Sequence, residues 1–369
     1  MSEIILPKST IGILGGGQIG RLMALSAKKM GYKVGILDAD PNCCAKNVAD
    51  FFVESSFKNK EKLKEFAKKC DILTYDTLSV DVGKLRAIQN EMKMTQNLDL
   101  IQITQNRLLE KTFLDEKDMI IAPFKTINKA HEISEAIGEI GLPCVLKTIH
   151  THKKHFIYSM KDAANAMRLL MDGSCILEAW IPAAHELSIQ VVGNKKGEYT
   201  TFPVVEVIQR NKQIHEIIAP ARIDEEARDE AKRIALEIAE ALELVGALTI
   251  DMLQTKEGGI YIHQLTPRPS NTGHYSMNAC NIDQFEAHLR GILSWSLPEI
   301  TQLTPAVMIN VLSEEYYETH HLLTEKPDWH FHYYDKEKVK RSRKMGHINI
   351  LTDDVNQTIE EIYQTKIWD

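Results

Sequence analysis

The chain has 369 residues and a mass of 41.9 kDa, which is enough for two or three domains with buried cores. Its 44 Lys and Arg against 51 Asp and Glu give a net charge of −7, which excludes the basic surface of a general nucleic-acid binder. No apolar run approaches the roughly 20 residues of a membrane helix, so we expect no membrane partner. The polar lead runs directly into a strand, which predicts no signal peptide. Six cysteines without a CxxC pair favour reduced thiols and a cytoplasmic location.

The first stretch of the chain, to about Leu100, alternates predicted strands and helices. A strand at Ile11–Leu14 is followed by a helix at Arg21–Lys29 and a second strand at Val34–Leu37. A charged amphipathic helix at Lys60–Lys69 then leads to a strand at Asp71–Tyr75. This order is typical of a parallel sheet with right-handed crossovers.

The second stretch, from about Gln105 to Leu312, mixes the two element types. The predicted helices are Ala130–Ile140, Asp162–Met171 and Glu225–Leu242, and the predicted strands are Cys144–Lys147, Cys175–Glu178, Leu187–Val192, Ala247–Leu253 and Gly259–Gln264. The last two strands are separated by a short polar turn ending in glycine and predict a hairpin. The third stretch, from about Ser313 to Asp369, has short strands and a basic segment from Lys336 to Lys344.

A glycine loop stands between the first strand and the first helix. Gly15, Gly17 and Gly20 satisfy GxGxxG, and Asp38 closes the next strand. This pattern allows a tight turn, close backbone approach and anion binding at a helix N-terminus, as in dinucleotide-binding proteins. Three interpretations stay open at this point: an NAD or FAD site, a site for another phosphate-bearing ligand, or a turn that only packs the helix on the sheet. Gln18 offers the ligand a donor and an acceptor.

Further motifs follow along the rest of the chain. In order they are Gln105–Lys111, Ala122–Phe124, Leu142–Thr148, Ile176–Ile181, Glu186–Ser188, Ala219–Arg222, Thr266–Tyr275, Ala279-Cys280 and Arg343–His347. Together with the glycine loop, which matches the family's GGGQLG, they resemble the N5-carboxyaminoimidazole ribonucleotide synthetases of bacterial purine biosynthesis, which are ATP-grasp ligases. The resemblance covers essentially the whole chain.

The resemblance implies a fold class and a reaction. The fold is α/β and α+β: a Rossmann-like parallel-sheet domain at 1–100, an ATP-grasp domain at 101–312 with a small subdomain at about 112–185, and a small β-rich domain at 313–369. The reaction uses ATP and magnesium to activate bicarbonate as carboxyphosphate and transfers the carboxyl group to the amine of 5-aminoimidazole ribonucleotide, releasing ADP and phosphate. ATP is expected between two subdomains. A homodimer is expected, because the family is commonly dimeric.

The resemblance also assigns residues to the nucleotide. Lys147 matches the lysine on the ATP phosphates, where a point cation suits phosphoryl oxygens, and we count it with Arg268 as catalytic. Glu186 matches the acid that binds the ribose hydroxyls, because a carboxylate accepts two hydrogen bonds from a diol. The predicted ATP ligands are Arg107, Lys147, Glu178, Ala179, Trp180, Ile181, Glu186 and Gln209, with residues 178–181 forming the adenine hinge.

Substrate residues follow from the loop after the second hairpin strand and from the basic tail. The predicted set is Gln18, Asp76, Asn271, His274, Lys336, Arg343 and Lys344. The basic side chains suit a phosphate, to which arginine offers a bidentate fork. Asp76 lies in a turn that reads Tyr-Asp-Thr-Leu-Ser where the family has Tyr-Glu-Phe-Glu-Asn.

Two departures from the family pattern fall on the chemistry. The family's flexible GGYDGKG loop is replaced by a shorter stretch, Ile149–Phe156, that contains no glycine, although close backbone approach favours glycine. His150, His152 and His155 in this stretch lack a nearby acid or cysteine for a metal site and predict a solvated basic loop. The family's two metal-binding acids correspond here to Asp251 and Gln264, and the amide brings no charge to the cation.

Competing functions follow from these departures. The first is an active ligase of the family with a remodelled phosphate loop. The second is a catalytically impaired paralogue that acts as a nucleotide-binding or regulatory protein. The third is an ATP-grasp ligase for a different amine or acid. We expect slow or absent turnover, because both departures weaken the site for the triphosphate and its metal. Nothing outside the glycine loop supports a dehydrogenase.

Overall fold

The computed structural model describes residues 4–151, 153–211, 213–337 and 340–368. The chain divides into two compact units: unit 1 contains 1–98, 187–249 and 266–369, and unit 2 contains 99–186 and 250–265. The chain passes from one unit to the other within strands at three of these boundaries. Among the described residues, no helix is long and apolar enough to cross a membrane.

The strands are β1 Thr10–Leu14, β2 Lys33–Asp38, β3 Phe51–Glu54, β4 Ile72–Tyr75, β5 Phe124–Ile127, β6 Cys144–Thr148, β7 Lys154–Ile157, β8 Cys175–Ala179, β9 Ala183–Gly193, β10 Tyr199–Thr201, β11 Val205–Arg210, β12 Gln213–Ala219, β13 Gly246–Thr255, β14 Ile260–Thr266, β15 Ala306–Leu312, β16 His330–Tyr333 and β17 Lys344–Leu351. The helices are α1 Gln18–Lys29, α2 Lys60–Ala67, α3 Val82–Arg86, α4 Leu98–Thr104, α5 Arg107–Asp115, α6 Glu132–Ile140, α7 Met160–Ala166, α8 Glu225–Ala241, α9 Ser276–Ala279, α10 Gln284–Ile292, α11 Leu322–Glu325 and α12 Val355–Gln364.

Unit 1 contains the predicted parallel sheet, with the strand order β3-β2-β1-β4. Its inner strands β1 and β2 are almost continuously apolar and buried, as expected for strands covered on both faces. Helix α1 packs against one face and also contacts α10, and Met23, Phe285 and Leu289 belong to the same core. The edge strand β3 was not predicted, because four residues with two phenylalanines and no alternation carry little pattern.

A nine-stranded sheet has the order β14-β13-β9-β11-β12-β15-β17-β16, with β10 paired to β9. The strands of the C-terminal stretch, β15, β16 and β17, are antiparallel neighbours in this sheet. The tail therefore extends a sheet that begins earlier in the chain. Helix α12 covers one face of this end through Ile362, which is packed among the buried side chains of β15 and β17.

Unit 2 contains a four-stranded antiparallel sheet with the order β5-β8-β6-β7. Helices α6 and α7 supply Ile133, Ile137 and Ala163 to its core. The predicted helix at 162–171 instead begins at Met160 and ends at Ala166, after which a 3₁₀ turn follows. Its start is fixed by a capping box in which Ser159 and Asp162 bind each other's backbone N–H groups. The predicted hairpin of β13 and β14 closes through Thr255 and Gly259.

Two helical glycines differ in the space around them. A Cβ on Gly291 of α10 would lie 2.5 Å from the Gly193 carbonyl oxygen and 3.0 Å from the Gly246 nitrogen, whereas a Cβ on Gly138 of α6 would meet no described atom within 4 Å. We expect Gly291→Ala to lower the free energy of unfolding of unit 1 by about 1–3 kcal/mol, because backbone atoms must shift. Gly138→Ala should raise that of unit 2 by about 0.5–1 kcal/mol, because alanine favours the helix. Urea unfolding curves of both variants check this, and equal effects would contradict it.

Candidate active site

A cavity of about 530 Å³ lies in unit 1, at the carboxyl ends of β1, β2 and β4. Most of its lining comes from five distant stretches of the chain: Gly15–Ile19, Asp38–Cys44, Asp76–Ser79, the segment around Arg268 and the segment around Lys336. Of the predicted site residues, it brings together Gln18, Asp76, Arg268, Asn271, Lys336, Arg343 and Lys344. The carboxyl edge of a parallel sheet is the usual place for a ligand, and this cavity is the first candidate site.

Two backbone N–H groups of the glycine loop, at the cavity floor, donate to carboxylates of the protein. Gly15 has a φ of +109°, which favours glycine. The Gly16 N–H donates to Asp38 at 2.6 Å, and the Gly17 N–H donates to Asp76 at 2.7 Å. The second Asp38 oxygen accepts the Asp40 N–H at 2.8 Å. Because these amides and Asp38 bind one another, the loop does not offer the pyrophosphate cradle and ribose acid of a dinucleotide site.

A basic group forms one end of the cavity. Lys336 Nζ donates to Gln18 Oε1 at 2.6 Å and to the Lys344 carbonyl oxygen, and Gln18 Nε2 donates to Asn271 Oδ1 at 2.6 Å. Burial lowers the pKa of Lys336 to about 8, and burial together with Lys336 and Arg268 lowers that of Lys344 to about 8. Cations that repel one another in a partly closed cavity are well placed to receive an anion such as a phosphate.

The segment that carries Arg343 is held by side chains of the preceding loop. Ser313 Oγ donates to the carbonyl oxygens of Lys340 and Arg343, the latter at 3.0 Å, and accepts the Arg343 N–H at 3.1 Å. Glu314 accepts the Ser342 N–H at 2.9 Å. These bonds fix a turn whose basic residues would otherwise repel one another.

Asp76 and Arg268 stand near each other in the cavity. Burial raises the pKa of Asp76, while Arg268 and the N–H groups of Gly17 and Gly20 oppose that rise. The loop carrying Arg268 is joined to β4 by Tyr75, whose hydroxyl donates to the Pro267 carbonyl oxygen at 2.6 Å. Asp76 is thus tied to the glycine loop and acts as a wall of the cavity.

His274, predicted as a substrate ligand, is fully buried and is not among the residues that line the cavity, so its role toward the substrate stays a prediction. Its ring is fully buried and stacks on His347 at 4.6 Å, which in turn stacks on His332 at 4.6 Å. His347 Nδ1 lies 2.7 Å from the Tyr334 hydroxyl, and His274 Nδ1 lies 2.9 Å from Gln284 Nε2. These three imidazoles, the histidine stack, support the cavity from the core.

A buried charge cluster in unit 2 is the second candidate site. Lys147 on β6 donates to Glu178 Oε2 at 2.6 Å, and Lys111 Nζ of α5 lies 3.8 Å from the same oxygen. In the antiparallel register of β6 and β8, Val145 lies opposite Glu178. Lys147 is two residues further along β6 and therefore on the same face of the sheet, so the register brings its charge close to that of Glu178. Burial and the nearby Lys111 and Arg107 lower the pKa of Lys147 despite Glu178. Burial raises the pKa of Glu178, but the two lysines outweigh it and leave that pKa below its usual value.

Glu110 and His263 lie beside this cluster. Glu110 Oε1 accepts the Leu265 N–H at 2.7 Å and so fastens α5 to β14 next to Gln264. Burial raises the pKa of Glu110 to about 7, against the effect of that amide and of Lys111. Burial, assisted by Lys147, lowers the pKa of His263 to about 3, so its imidazole is neutral.

The predicted hinge follows directly from β8. The Ala179 N–H donates to the Pro123 carbonyl oxygen at 2.9 Å, and the Trp180 N–H donates to that of Pro143 at 3.1 Å. Two of the hinge amides are therefore used within the protein. The Trp180 ring is 46% exposed and meets Phe156 edge to face at 5.3 Å, which leaves an aromatic surface at the hinge.

The turn that replaces the family's glycine loop is fixed by threonines. The Thr148 N–H donates to the Lys153 carbonyl oxygen at 3.0 Å, and Thr151 Oγ1 donates to Thr148 Oγ1 at 2.8 Å. Lys153 is turned to Asp172 at 2.8 Å. His152 lies outside the described residues, and no metal-binding group of three His, Cys, Asp or Glu occurs among those described.

The other predicted residues are divided between the units. Arg107, Glu186, Asp251 and Gln264 belong to unit 2, as does Lys147, whereas Gln209 belongs to unit 1 at an exposed bulge in β11. Asp251 and Gln264 lie on the neighbouring strands β13 and β14.

Sequence reasoning missed Lys111, Glu110 and the internal role of Asp38. Glu110 and Lys111 both lie in a quoted motif, and their burial, 5% and 4% exposed, sets them apart. Adjacent residues of opposite charge in a helix usually face solvent, so only the fold identifies them.

Three family models match successive parts of the chain. They are the ribonucleotide synthetase preATP-grasp domain at residues 8–105, the ATP-grasp domain at 112–285 and the phosphoribosylaminoimidazole carboxylase C-terminal domain at 306–361. The chain is therefore an ATP-grasp protein with the parts of a ribonucleotide synthetase, and the predicted fold class is confirmed.

Full-length relatives narrow the class further. The chain is 35% identical to the N5-carboxyaminoimidazole ribonucleotide synthases of Staphylococcus aureus strain MRSA252, over 96% of both chains, and of Bacillus subtilis strain 168, over 98% of this chain and 96% of the relative. A solved ADP complex of an N5-carboxyaminoimidazole ribonucleotide synthetase superimposes with a TM-score of 0.97 at 38% identity, over 100% of this chain and 99% of the other. An Aspergillus clavatus structure in complex with ADP and 5-aminoimidazole ribonucleotide gives 0.92 at 28% identity, over 99% and 100% of the chains.

This chain belongs to the N5-carboxyaminoimidazole ribonucleotide synthase family, which confirms the resemblance seen in its motifs.

The histidine stack makes stability depend on pH. An unfolded histidine titrates near pH 6.5, whereas burial lowers the pKa of His332 to about 4 and those of His274 and His347 well below the usual value. The unfolded state then binds more protons below about pH 6.5, so we expect the free energy of unfolding to fall on acidification by about 1.4 kcal/mol per pH unit for each histidine. The His332→Gln variant keeps a donor for Asn278. It should reduce this slope by the contribution of one histidine, about 1.4 kcal/mol per pH unit.

Urea unfolding at pH 7.5, 6.0 and 5.0 measures the slope in the wild-type chain and in the variant. Stability that stays constant over this range would contradict the account of the stack.

Proposed function

We propose that this chain catalyses the reaction of its family, the ATP-dependent carboxylation of 5-aminoimidazole ribonucleotide with bicarbonate, releasing ADP and phosphate. The observation that carries the proposal is the cavity of unit 1, where five stretches of sequence supply a basic end and a polar wall to one space. Relatives named N5-carboxyaminoimidazole ribonucleotide synthases match over 96% of the chain.

The basic end of the cavity suits the phosphate of the ribonucleotide. Lys336 and Lys344 lie beside Arg343, and a dianion would offset the burial and the repulsion that lower the pKa values of the two lysines. Gln18 and Asn271, which bind each other at 2.6 Å, present amide groups to the ribose or the base. Arg268, in the same lining, would stabilise charge that develops on the carboxyl group during transfer.

The charge cluster of unit 2 suits the phosphates of ATP. Lys147 supplies the cation that the family places there, and Glu178 fixes its position. The hinge would hold the adenine against the exposed Trp180 ring and the aliphatic side chain of Ile181. Its backbone carbonyl groups would be the polar contacts, because the amides of Ala179 and Trp180 are used internally. Glu186 and Arg107 complete the nucleotide site in this proposal, while Gln209 belongs to the other unit.

The donors present can hold a magnesium ion, but they include one carboxylate fewer than the family pattern, so we expect weaker binding. Asp251 offers one carboxylate and Gln264 one amide oxygen on neighbouring strands, and magnesium is commonly held by one or two carboxylates together with substrate phosphates. When bound, the ion neutralises charge on the phosphates. Within the protein, Glu110 holds the strand of Gln264 in place through the Leu265 N–H.

The remaining predictions concern assembly and location. We retain the homodimer and the three-domain division as proposals, which light scattering and limited proteolysis test. The six cysteines are free thiols, five of them buried, which is in keeping with the proposed reducing, cytoplasmic location.

The proposed reaction predicts a specific ADP release. With ATP and magnesium, ADP should form only when bicarbonate and 5-aminoimidazole ribonucleotide are both present, and more slowly than in a Gln264→Glu variant, because the added carboxylate strengthens the metal site. A coupled assay for ADP measures this. ADP release at the same rate with and without the ribonucleotide would contradict the proposal. ADP binding without turnover would favour the impaired paralogue.

The phosphate end of the cavity can be tested with neighbouring cations. Lys344→Gln should raise the KM for 5-aminoimidazole ribonucleotide about 10- to 100-fold, because one charged hydrogen bond to the phosphate contributes about 1.5–3 kcal/mol. Arg341→Gln removes an exposed cation from the same segment and should change KM less than about two-fold. Equal effects of the two substitutions would show that only the general charge of the segment matters.

A further inference from the structure

The charge cluster of unit 2 holds more positive than negative charge. Lys111 and Lys147 share one carboxylate oxygen of Glu178, at 3.8 and 2.6 Å. The side chains of Lys111, Lys147 and Glu178 are 5%, 8% and 4% exposed, so water solvates them little. One carboxylate balances one of two ammonium groups, and a buried charge without a counter-charge is costly.

Arg107 and Glu110 lie beside the two lysines, so the described cluster counts three cations, Lys111, Lys147 and Arg107, against two carboxylates, Glu178 and Glu110. Arg107, at the start of α5, is close enough to both Lys147 and Glu110 to shift their titration. The Glu110 carboxylate is directed to the Leu265 N–H, at 2.7 Å, and so holds a strand. Among the described groups named here, the cluster therefore carries one more positive than negative charge.

Unit 2 also departs from the family pattern in two features that neutralise or hold phosphates, a metal-binding carboxylate and a glycine loop. The donors for a metal are one carboxylate and one amide, Asp251 and Gln264. The turn after β6 is closed by Thr148 and Thr151 and contains no glycine to cradle phosphates. The chain thus has one metal-binding negative charge fewer than the family pattern, beside a buried lysine, Lys111, that shares the Glu178 carboxylate with Lys147.

We propose that Lys111 binds the nucleotide phosphates together with Lys147, and that this chain binds ADP with little dependence on Mg²⁺. The ammonium groups supply the charge neutralisation that a divalent cation otherwise supplies, and the missing carboxylate removes a repulsion from phosphates that arrive without a metal. The inference rests on the nucleotide site proposed above and assigns that site a further residue and a changed metal requirement.

Calorimetric titration of the full-length chain with ADP, in EDTA and in excess Mg²⁺, tests the inference. We expect the two dissociation constants to agree within about three-fold. Lys111→Met should weaken ADP binding at least about ten-fold in both buffers, a loss of about 1.4 kcal/mol. This variant retains the Lys147–Glu178 pair as a balanced ion pair, and its melting temperature verifies that it folds.

Two further variants sharpen the result. Lys117→Met removes an exposed lysine just beyond α5 and should leave ADP affinity within about two-fold. Gln264→Glu restores the second carboxylate and should make ADP binding metal-dependent, weaker in EDTA and at least about ten-fold tighter with Mg²⁺ than without it.

The outcomes separate the two proposals. ADP binding by the wild-type chain that requires Mg²⁺, or an unchanged affinity in Lys111→Met, overturns the inference and leaves the nucleotide site standing. Failure of the wild-type chain to bind ADP in either buffer overturns both.

Discussion

One buried carboxylate, that of Glu178, sets the character of unit 2. It stands on β8, between β5 and β6, and accepts the ammonium group of Lys147 at 2.6 Å with Lys111 at 3.8 Å. A buried ion pair adds little net stability, but removing one partner costs about 3–5 kcal/mol, so its members are constrained together. The register of β6 and β8 brings Lys147 to this buried oxygen, and the position of α5 brings Lys111 to it. The positive charge around it is the basis of the proposed site for nucleotide phosphates.

In unit 1, carboxylates of the protein bind backbone groups that would otherwise attract an anion. Its glycine loop presents amides that would attract any anion, and two of these amides are bound by Asp38 and Asp76. The basic side chains of Lys336, Arg343 and Lys344 line the same cavity, and they are the proposed site for the phosphate. The same sequence pattern that marks a dinucleotide site in other proteins serves here to shape a wall.

The sequence predicts the regular parts of this fold well and its charge networks poorly. Alternation and buried runs locate β1, β2 and β4 and the hairpin of β13 and β14, because those signals are local. The edge strand β3 lacks such a signal. The motifs bring Lys336 and Arg268 into one candidate site, but burial of His274 and the shared role of Lys111 depend on packing between distant segments. His274 belongs to a stack whose members lie up to 73 residues apart, which no local pattern reveals.

The central claim is that nucleotide phosphates complete a buried cluster of cations. A crystal structure of the chain with ADP in a metal-free buffer tests it most directly. The account predicts a phosphate oxygen within hydrogen-bond distance, about 3 Å, of the Nζ atoms of both Lys111 and Lys147. ADP phosphates that avoid Lys111, or lie ordered only where a metal is added, would contradict it.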